Sequence, residues 1–287
     1  MKMQKAKHLH LEMEKVTPNI QHDYMITAKI DGWYVYSDYT PFYGWGNIMS
    51  SNGRSIPSME NAARLYLDSL ANPGIACRLI MEAYIPDTKF HILNGLFNRT
   101  VGDYIVQDIH FIAHDLVFAK GYTITALERF NSLTSLGFTS DRLQRAELLG
   151  ISDNMDVWHR YFDKVVLAGG EGIVLKQANG LYCPGKRNNT LMKIKMNQSV
   201  DLLCVDTYKT IGEKGNSNTN ITLVNKLGIK ATVRVGKHSD IAKIDEDTNY
   251  IIGKVCEIKV MEVLETGGYR EPTFYCIRED KTKEEID

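Results

Sequence analysis

Lys29-Ile30-Asp31-Gly32 joins two runs of strand-forming residues, Met25-Ile26-Thr27-Ala28 and Trp33-Tyr34-Val35-Tyr36. The pattern predicts a strand–turn–strand with the lysine pointing outward, a carboxylate two residues on, and a glycine that leaves room for a ligand. An amine so placed can act as a covalent nucleophile once it has lost its proton. The tetrapeptide alone reads more readily as a solvated hairpin turn, so the remaining polar groups decide. Glu82 stands in the apolar run 79–85, where a carboxylate is costly unless it is paired or faces a cleft. His114-Asp115 interrupts a second apolar run, 109–118. Glu171-Gly172-Ile173-Val174-Leu175-Lys176 alternates between two faces. Lys193-Ile194-Lys195 sets two ammonium groups on one face of a strand, about 7 Å apart. Such a pair repels unless an anion lies between its members. Taken singly, these are a satisfied buried acid, a core histidine and a solvated strand face; their order and combination carry the signal.

These groups need a scaffold of short strands and helices. Strands are predicted at 78–85, 91–98, 110–118, 172–176 and 191–196. One helix opens at Ser58 behind Pro57, with Ala62, Ala63, Leu65, Tyr66 and Leu70 on its apolar side. A second follows the capping box Thr125-Ala126-Leu127-Glu128 and carries Leu127, Phe130, Leu133 and Leu136 at helical spacing. A third, 155–168, ends at Gly169-Gly170. Residues 1–22 are polar and too few for a domain. Beyond Asn197 helical periodicity disappears. Strands at 200–208, 221–235, 255–264 and 273–277, with a loop of turn-forming residues at 212–220, predict a small β-barrel such as an OB-fold.

Composition narrows the class. The chain has 287 residues, 44% hydrophobic and 24% charged, enough for one large or two medium globular domains. No run approaches the ~18 apolar residues of a membrane span, and no secretory leader pattern follows the basic start, so a cytoplasmic protein is expected. The five cysteines are scattered, without Cys-x-x-Cys, and predict neither a disulfide framework nor a zinc site. His8 and His10 form a His-x-His pair that reads as a solvated segment. Net charge is −1, yet residues 176–200 hold no acid while carrying Lys176, Lys186, Arg187, Lys193 and Lys195. That stretch is either a solvated face or the wall of an anion site.

In this order the clusters resemble the ATP-dependent DNA ligases of the covalent nucleotidyltransferase superfamily, especially the small viral and phage-type enzymes. The resemblance runs over 23–281. It rests on Lys29-Ile30-Asp31-Gly32, on Glu82 in Leu79-Ile80-Met81-Glu82-Ala83, and on Ile112-Ala113-His114-Asp115-Leu116. It continues through Glu171-Gly172-Ile173-Val174-Leu175-Lys176 and Leu191-Met192-Lys193-Ile194-Lys195 to Arg270-Glu271-Pro272-Thr273-Phe274 with Arg278-Glu279-Asp280-Lys281. The resemblance implies an α+β fold. A nucleotidyltransferase (adenylation) domain of antiparallel sheets flanked by helices would occupy 1–197, and an OB-fold β-barrel 198–287.

It further implies that Lys29 takes AMP from ATP, passes it to the 5′-phosphate of nicked duplex DNA, and that the 3′-hydroxyl then displaces it. Thr27, Ala28, Asp31 and Gly32 would line the nucleotide. Glu82 would hold the ribose and, with Glu171, a Mg²⁺ ion, with Mn²⁺ as the alternative. His114 stands where relatives carry Phe or Tyr against adenine. Lys193 and Lys195, with the metal, would keep the Lys29 amine neutral and balance the phosphate charge. Arg270, Arg278 and Lys281 would orient pyrophosphate. Relatives carry an arginine where this chain has Tyr34, and another where Ser50-Ser51-Asn52-Gly53-Arg54 has Ser51. Arg54, Lys186 and Arg187 are the remaining candidates for DNA phosphates, and loop 212–220 for a DNA clamp. A monomer that encircles DNA and has no membrane partner is expected. An RNA ligase, a capping guanylyltransferase and a non-catalytic nucleic-acid-binding module stay open as alternatives.

Overall fold

The computed structural model describes residues 2–9, 22–98, 108–118, 123–212, 215–236 and 238–287. The chain divides into two compact units, Met1–Lys195 and Met196–Asp287.

The first unit contains two sheets; strands and helices are numbered in chain order. One sheet has the order β1 (Lys5–His8), β11 (Arg187–Lys195), β10 (Gly172–Gln177), β2 (Tyr24–Lys29), β9 (Leu148–Ser152). Alternation in these strands sorts their side chains to two faces. Tyr24, Ile26, Ile173, Leu175, Met192 and Ile194 are buried together with Trp158 of α4 (Met155–Leu167). Each fully buried aliphatic side chain of this kind stabilises the sheet–helix contact by about 2 kcal/mol. The register carries the opposite face. Lys29 lies across from Gly172, which lies across from Lys195; Thr27, Val174 and Lys193 form the next row. Directly opposed residues share a face, so the lysines of β2 and β11 look into the same space.

The second sheet has the order β4 (Gly44–Trp45), β3 (Trp33–Thr40), β6 (Cys77–Tyr84), β7 (His110–Phe118), β8 (Leu143–Arg145), with β5 (Met49–Ser50) paired to β3. Its inner side chains Val35, Leu79, Met81 and Phe111 join the largest core with residues of α1 (Pro57–Leu67), α2 (Phe90–Phe97) and α3 (Ala126–Thr134). The α3 capping box is formed: Thr125 and Glu128 exchange side-chain and backbone hydrogen bonds.

Several expectations are corrected here. Segment 91–98 is not a strand but belongs to α2; Leu93 and Phe97, four apart, are both buried, which is helical spacing. In α1 the buried positions are Met59, Ala63 and Leu67, while Leu65 is 74% exposed. The sheets are not wholly antiparallel, because β1–β11 and β7–β8 pair in parallel. The polar N-terminal segment supplies β1.

In the second unit the order is β14 (Lys230–Arg234), β13 (Ser217–Val224), β12 (Gln198–Ile211), β15 (Val255–Val260), β18 (Thr273–Ile277). β16 (Glu262–Val263) and β17 (Tyr269–Arg270) form a separate hairpin. The expected strand 221–235 is two strands: the Asn225 side chain accepts from the N–H groups of Leu227 and Ile229 and turns the chain. Helical structure does occur beyond 197. α5 (His238–Glu246) buries Ile244 and packs Ile241 beside it, a stripe too short to show as periodicity. Residues 217–220 of the loop expected at 212–220 belong to β13. Glu213 and Lys214 lie outside the described residues, as does His10. All five cysteines are free thiols. Among the described residues no helix is long and apolar enough to cross a membrane.

Candidate active site

A cleft of about 710 Å³ opens on the polar face of the first sheet. Thr27, Ala28 and Lys29 of β2, Val174 and Lys176 of β10, and Lys193 of β11 line it, and so do Glu82, His114 and Tyr34 from the second sheet.

Lys29 ends β2, and its ammonium pairs with the carboxylate of Glu171, the residue immediately before β10. The Lys29 and Glu171 side chains are 16% and 10% exposed. The group in contact with Lys29 is thus a carboxylate, where the Lys193–Lys195 pair was expected. Gly172 sits between Lys29 and Lys195 in the register, so their backbone positions are two strand spacings apart, about 10 Å. Gly172 has a φ of 149°, and a Cβ there would lie 2.1 Å from the Ile194 carbonyl oxygen. Glycine is therefore required where the chain turns from Glu171 into β10.

Glu82 stands beside this pair. Burial pushes its carboxyl up to about 8; Lys29 draws it down, Glu171 and Asp31 push it up, and the Gly32 backbone N–H donates to it. Burial also raises Glu171, against the pull of Lys29. Gly32 fits because a Cβ there would lie 2.5 Å from the Ala83 carbonyl oxygen. The Lys-x-Asp-Gly turn thus packs directly on β6 at Glu82, and its glycine is needed for close approach. Glu171 and Asp31 are the carboxyls whose charge acts on Glu82. Mg²⁺ is commonly held by one or two carboxylates plus phosphate oxygens. Among the described residues no cluster of three His, Cys, Asp or Glu side chains would hold a metal by itself.

The other end of the cleft is a buried ion network. Asp115 accepts from Arg129 at 2.8 and 3.2 Å and from Lys176 Nζ at 2.8 Å. Lys176 Nζ also donates to the His114 carbonyl at 2.8 Å. Burial acts to raise the Asp115 carboxyl, but Lys176 and Arg129 outweigh it and hold the acid below the usual carboxylate range. His114 is pushed down to about 3 by burial, helped by Lys176. Its ring is therefore a neutral, flat surface at physiological pH. Tyr34 stacks on one side of that ring, with centroids 5.3 Å apart and planes 16° apart. Arg129 was missed in the sequence, where α3 read as simple packing. Its signal was present: Ala126, Arg129, Phe130 and Leu133 are spaced i, i+3, i+4, i+7 on the buried stripe.

Other expected residues are distributed differently. Arg54 is exposed and donates to Asn98 Oδ1 at 3.2 Å. Lys186 and Arg187 are exposed at the start of β11, and Arg187 lines the cleft. In the second unit Arg278 and Lys281 converge on Asp201, and Arg278 also reaches Glu257 at 3.4 Å. Arg270 does not join them: it sits on the β16–β17 hairpin, 3.6 Å from Glu262.

A strand ending in Lys29, two acids and a cationic strand around one cleft, with a five-stranded OB-type sheet in the second unit, give the fold of a nucleotidyltransferase joined to an OB-fold. The family model for the ATP dependent DNA ligase domain matches residues 52–195, half of the chain, and the protein belongs to that family. The DNA ligase of Enterobacteria phage T4 is 29% identical over 215 residues, covering 66% of this chain and 44% of the phage protein. DNA ligase 4 of Kluyveromyces lactis is 26% identical over 233 residues, covering 70% of this chain and 25% of its own. The chain thus spans between a quarter and under a half of these relatives. Among solved structures, a Lig E DNA ligase aligns with a TM-score of 0.68 at 17% identity, over 97% of this chain and 99% of its own. The ATP-dependent DNA ligase of bacteriophage T7, in complex with ATP, aligns with a TM-score of 0.55 at 15% identity, over 96% and 98%.

Proposed function

We propose that the protein seals 5′-phosphate/3′-hydroxyl nicks in duplex DNA at the expense of ATP. The observation that carries this reading is the Lys29–Glu171 pair, beside Glu82, at one end of a cleft lined by Lys193. The Lys29 nitrogen attacks the α-phosphorus of ATP, a P–N bond forms, and pyrophosphate leaves with the bonding electrons of the P–O bond. Attack needs the neutral amine. Glu171, in contact with the ammonium, is the group able to take its proton and release it to water, which leaves the carboxylate free for a metal ion. AMP then passes to the 5′-phosphate of the nick, and the 3′-hydroxyl displaces it.

Glu82 and Glu171 would hold Mg²⁺, or Mn²⁺, together with phosphate oxygens. The ion's chemistry is to neutralise charge on those oxygens. Lys193 and Lys195 add fixed positive charge on the same face. Neutral His114, backed by Tyr34, gives the adenine a flat surface, with Thr27 on the β2 side of the cleft. Arg278 and Lys281, which converge on Asp201 in the second unit, are the candidates for contacts to pyrophosphate.

Incubation with labelled ATP or GTP and Mg²⁺, followed by intact-mass measurement and a nick-sealing assay on DNA/DNA, DNA/RNA and RNA/RNA duplexes, tests the reading. A gain of one AMP, lost in Lys29→Ala, with sealing of the DNA nick is expected. A GMP adduct, or sealing confined to RNA, would overturn it.

A further inference from the structure

β1 brings together two segments that carry no acid, residues 2–9 and 172–200. Parallel pairing sets Lys5 directly across from Arg187, and both are exposed and line the cleft. Lys2 joins them by lying over Gly185: a Cβ on that glycine would meet Lys2 Cδ at 3.2 Å. Like charges directly opposed on neighbouring strands repel and weaken the pairing. Here the strand is held by buried polar contacts instead. Gln4 donates through Nε2 to Thr190 at 2.8 Å, and its Oε1 accepts from the Cys183 N–H at 3.1 Å. Its backbone N–H donates to Tyr182 Oη at 2.9 Å, and the Lys5 N–H to the Lys186 carbonyl at 3.0 Å. The two acids lining the cleft are Glu82, at the far end beside Lys29, and Asp115, already bound by Arg129 and Lys176. The fold therefore uses buried hydrogen bonds to hold a cationic row that is paired with no acid among the described residues.

We infer that Lys2, Lys5 and Arg187 form a subsite for backbone phosphates of the duplex, several nucleotides from the nick. This rests on the nick-sealing reading above. Spacing selects this source over the phosphates of ATP. From Lys5 to the level of Lys193 is three residues of β1, and Lys195 is two further along. Lys29 lies three strands away. At ~3.3 Å per residue and ~4.8 Å per strand, the row stands roughly 20 Å from the nucleophile. A triphosphate whose α-phosphorus is at Lys29 is far shorter than that. A DNA strand advances ~3.4 Å per nucleotide, so ~20 Å corresponds to about six nucleotides.

The test compares the full chain with the double variants Lys2→Ala/Lys5→Ala and Lys2→Arg/Lys5→Arg. Lys29 adenylation is followed by mass, and binding of a labelled nicked duplex by anisotropy over a range of salt. The alanine variant is expected to adenylate at the wild-type rate. Its affinity for the duplex should fall on the order of tenfold, and its salt slope by about 2, one per phosphate contact. The arginine variant should restore both. Trimming the flanks below about six base pairs should abolish the difference between wild type and alanine variant. Unchanged affinity and slope in the alanine variant would overturn this subsite alone. A matching loss of adenylation would assign the row to the nucleotide instead. A wild-type protein that adenylates but binds no duplex would overturn the nick-sealing reading, and this subsite with it.

Discussion

The Lys29 ammonium is held by the Glu171 carboxylate across the β2–β10 pair, so Lys29 rests as one half of a largely buried ion pair. The proposed attack on ATP must break that pair. Replacing Glu171 with Gln keeps the shape but removes both the counter-charge and the proton acceptor. Single-turnover adenylation of Glu171→Gln should slow by about 10²-fold or more, the usual contribution of a positioned base. Intact-mass time courses at limiting Mg²⁺ would read this, and a wild-type rate would remove Glu171 from the chemistry.

Glu82 predicts a trade between activity and stability. Its carboxyl is raised from 4.5 to about 8, mainly by burial. The folded chain therefore keeps a proton that the unfolded chain has lost. The stabilising contribution is full below 4.5 and declines as the pH rises through 8. Glu82→Gln should melt higher than wild type near pH 8, by roughly 2–4 kcal/mol, with the gain vanishing toward about pH 4.5. The same variant should lose adenylation. Thermal unfolding at several pH values checks the sign; a gain that grew on acidification would contradict it.

His114 acts in the opposite direction. It is lowered from 6.5 to about 3, first by burial and then by Lys176. Below 6.5 the unfolded chain takes up a proton that the folded chain refuses. Stability is therefore full above 6.5 and declines as the pH falls toward 3. His114→Phe should flatten this acid limb, gaining roughly 2 kcal/mol at about pH 5 and nothing at about pH 8. Its larger face should also lower the KM for ATP. Equal effects at both pH values would show that packing alone is responsible.

Arg129 is a structural prediction for the cleft floor. Only 1% exposed, it makes a two-pronged contact with Asp115 and donates to the Ile124 carbonyl at 2.8 Å. Arg129→Met should cost about 3 kcal/mol in urea unfolding, because a buried carboxylate loses one of its two cations. Lys176 and His114 should loosen with it and raise the KM for ATP. A cost under about 1 kcal/mol would mean that Lys176 alone satisfies Asp115.

The polar clusters were readable because each breaks an apolar run at a fixed point. Glu82 in β6 and His114-Asp115 in β7 stand out from largely apolar strands, and Lys-x-Lys in β11 brackets the buried Ile194. The capping box of α3 and the Gly169-Gly170 stop of α4 were legible because they are local backbone chemistry. What escaped depends on distant pairing. β1 is a polar tetrapeptide that becomes a strand only against β11. α2 looks like a strand because its eight residues are mostly apolar, and only the burial of Leu93 and Phe97 reveals its period. The Lys29–Glu171 pair escaped for the same reason: the distance between Lys29 and Lys195 is set by the intervening β10, which no motif spells out.

The partner of Lys29 lies 142 positions further along the chain, and β10 must pair on both edges before the two meet. A chain that stops short of β10 therefore leaves Lys29 without its Glu171 partner.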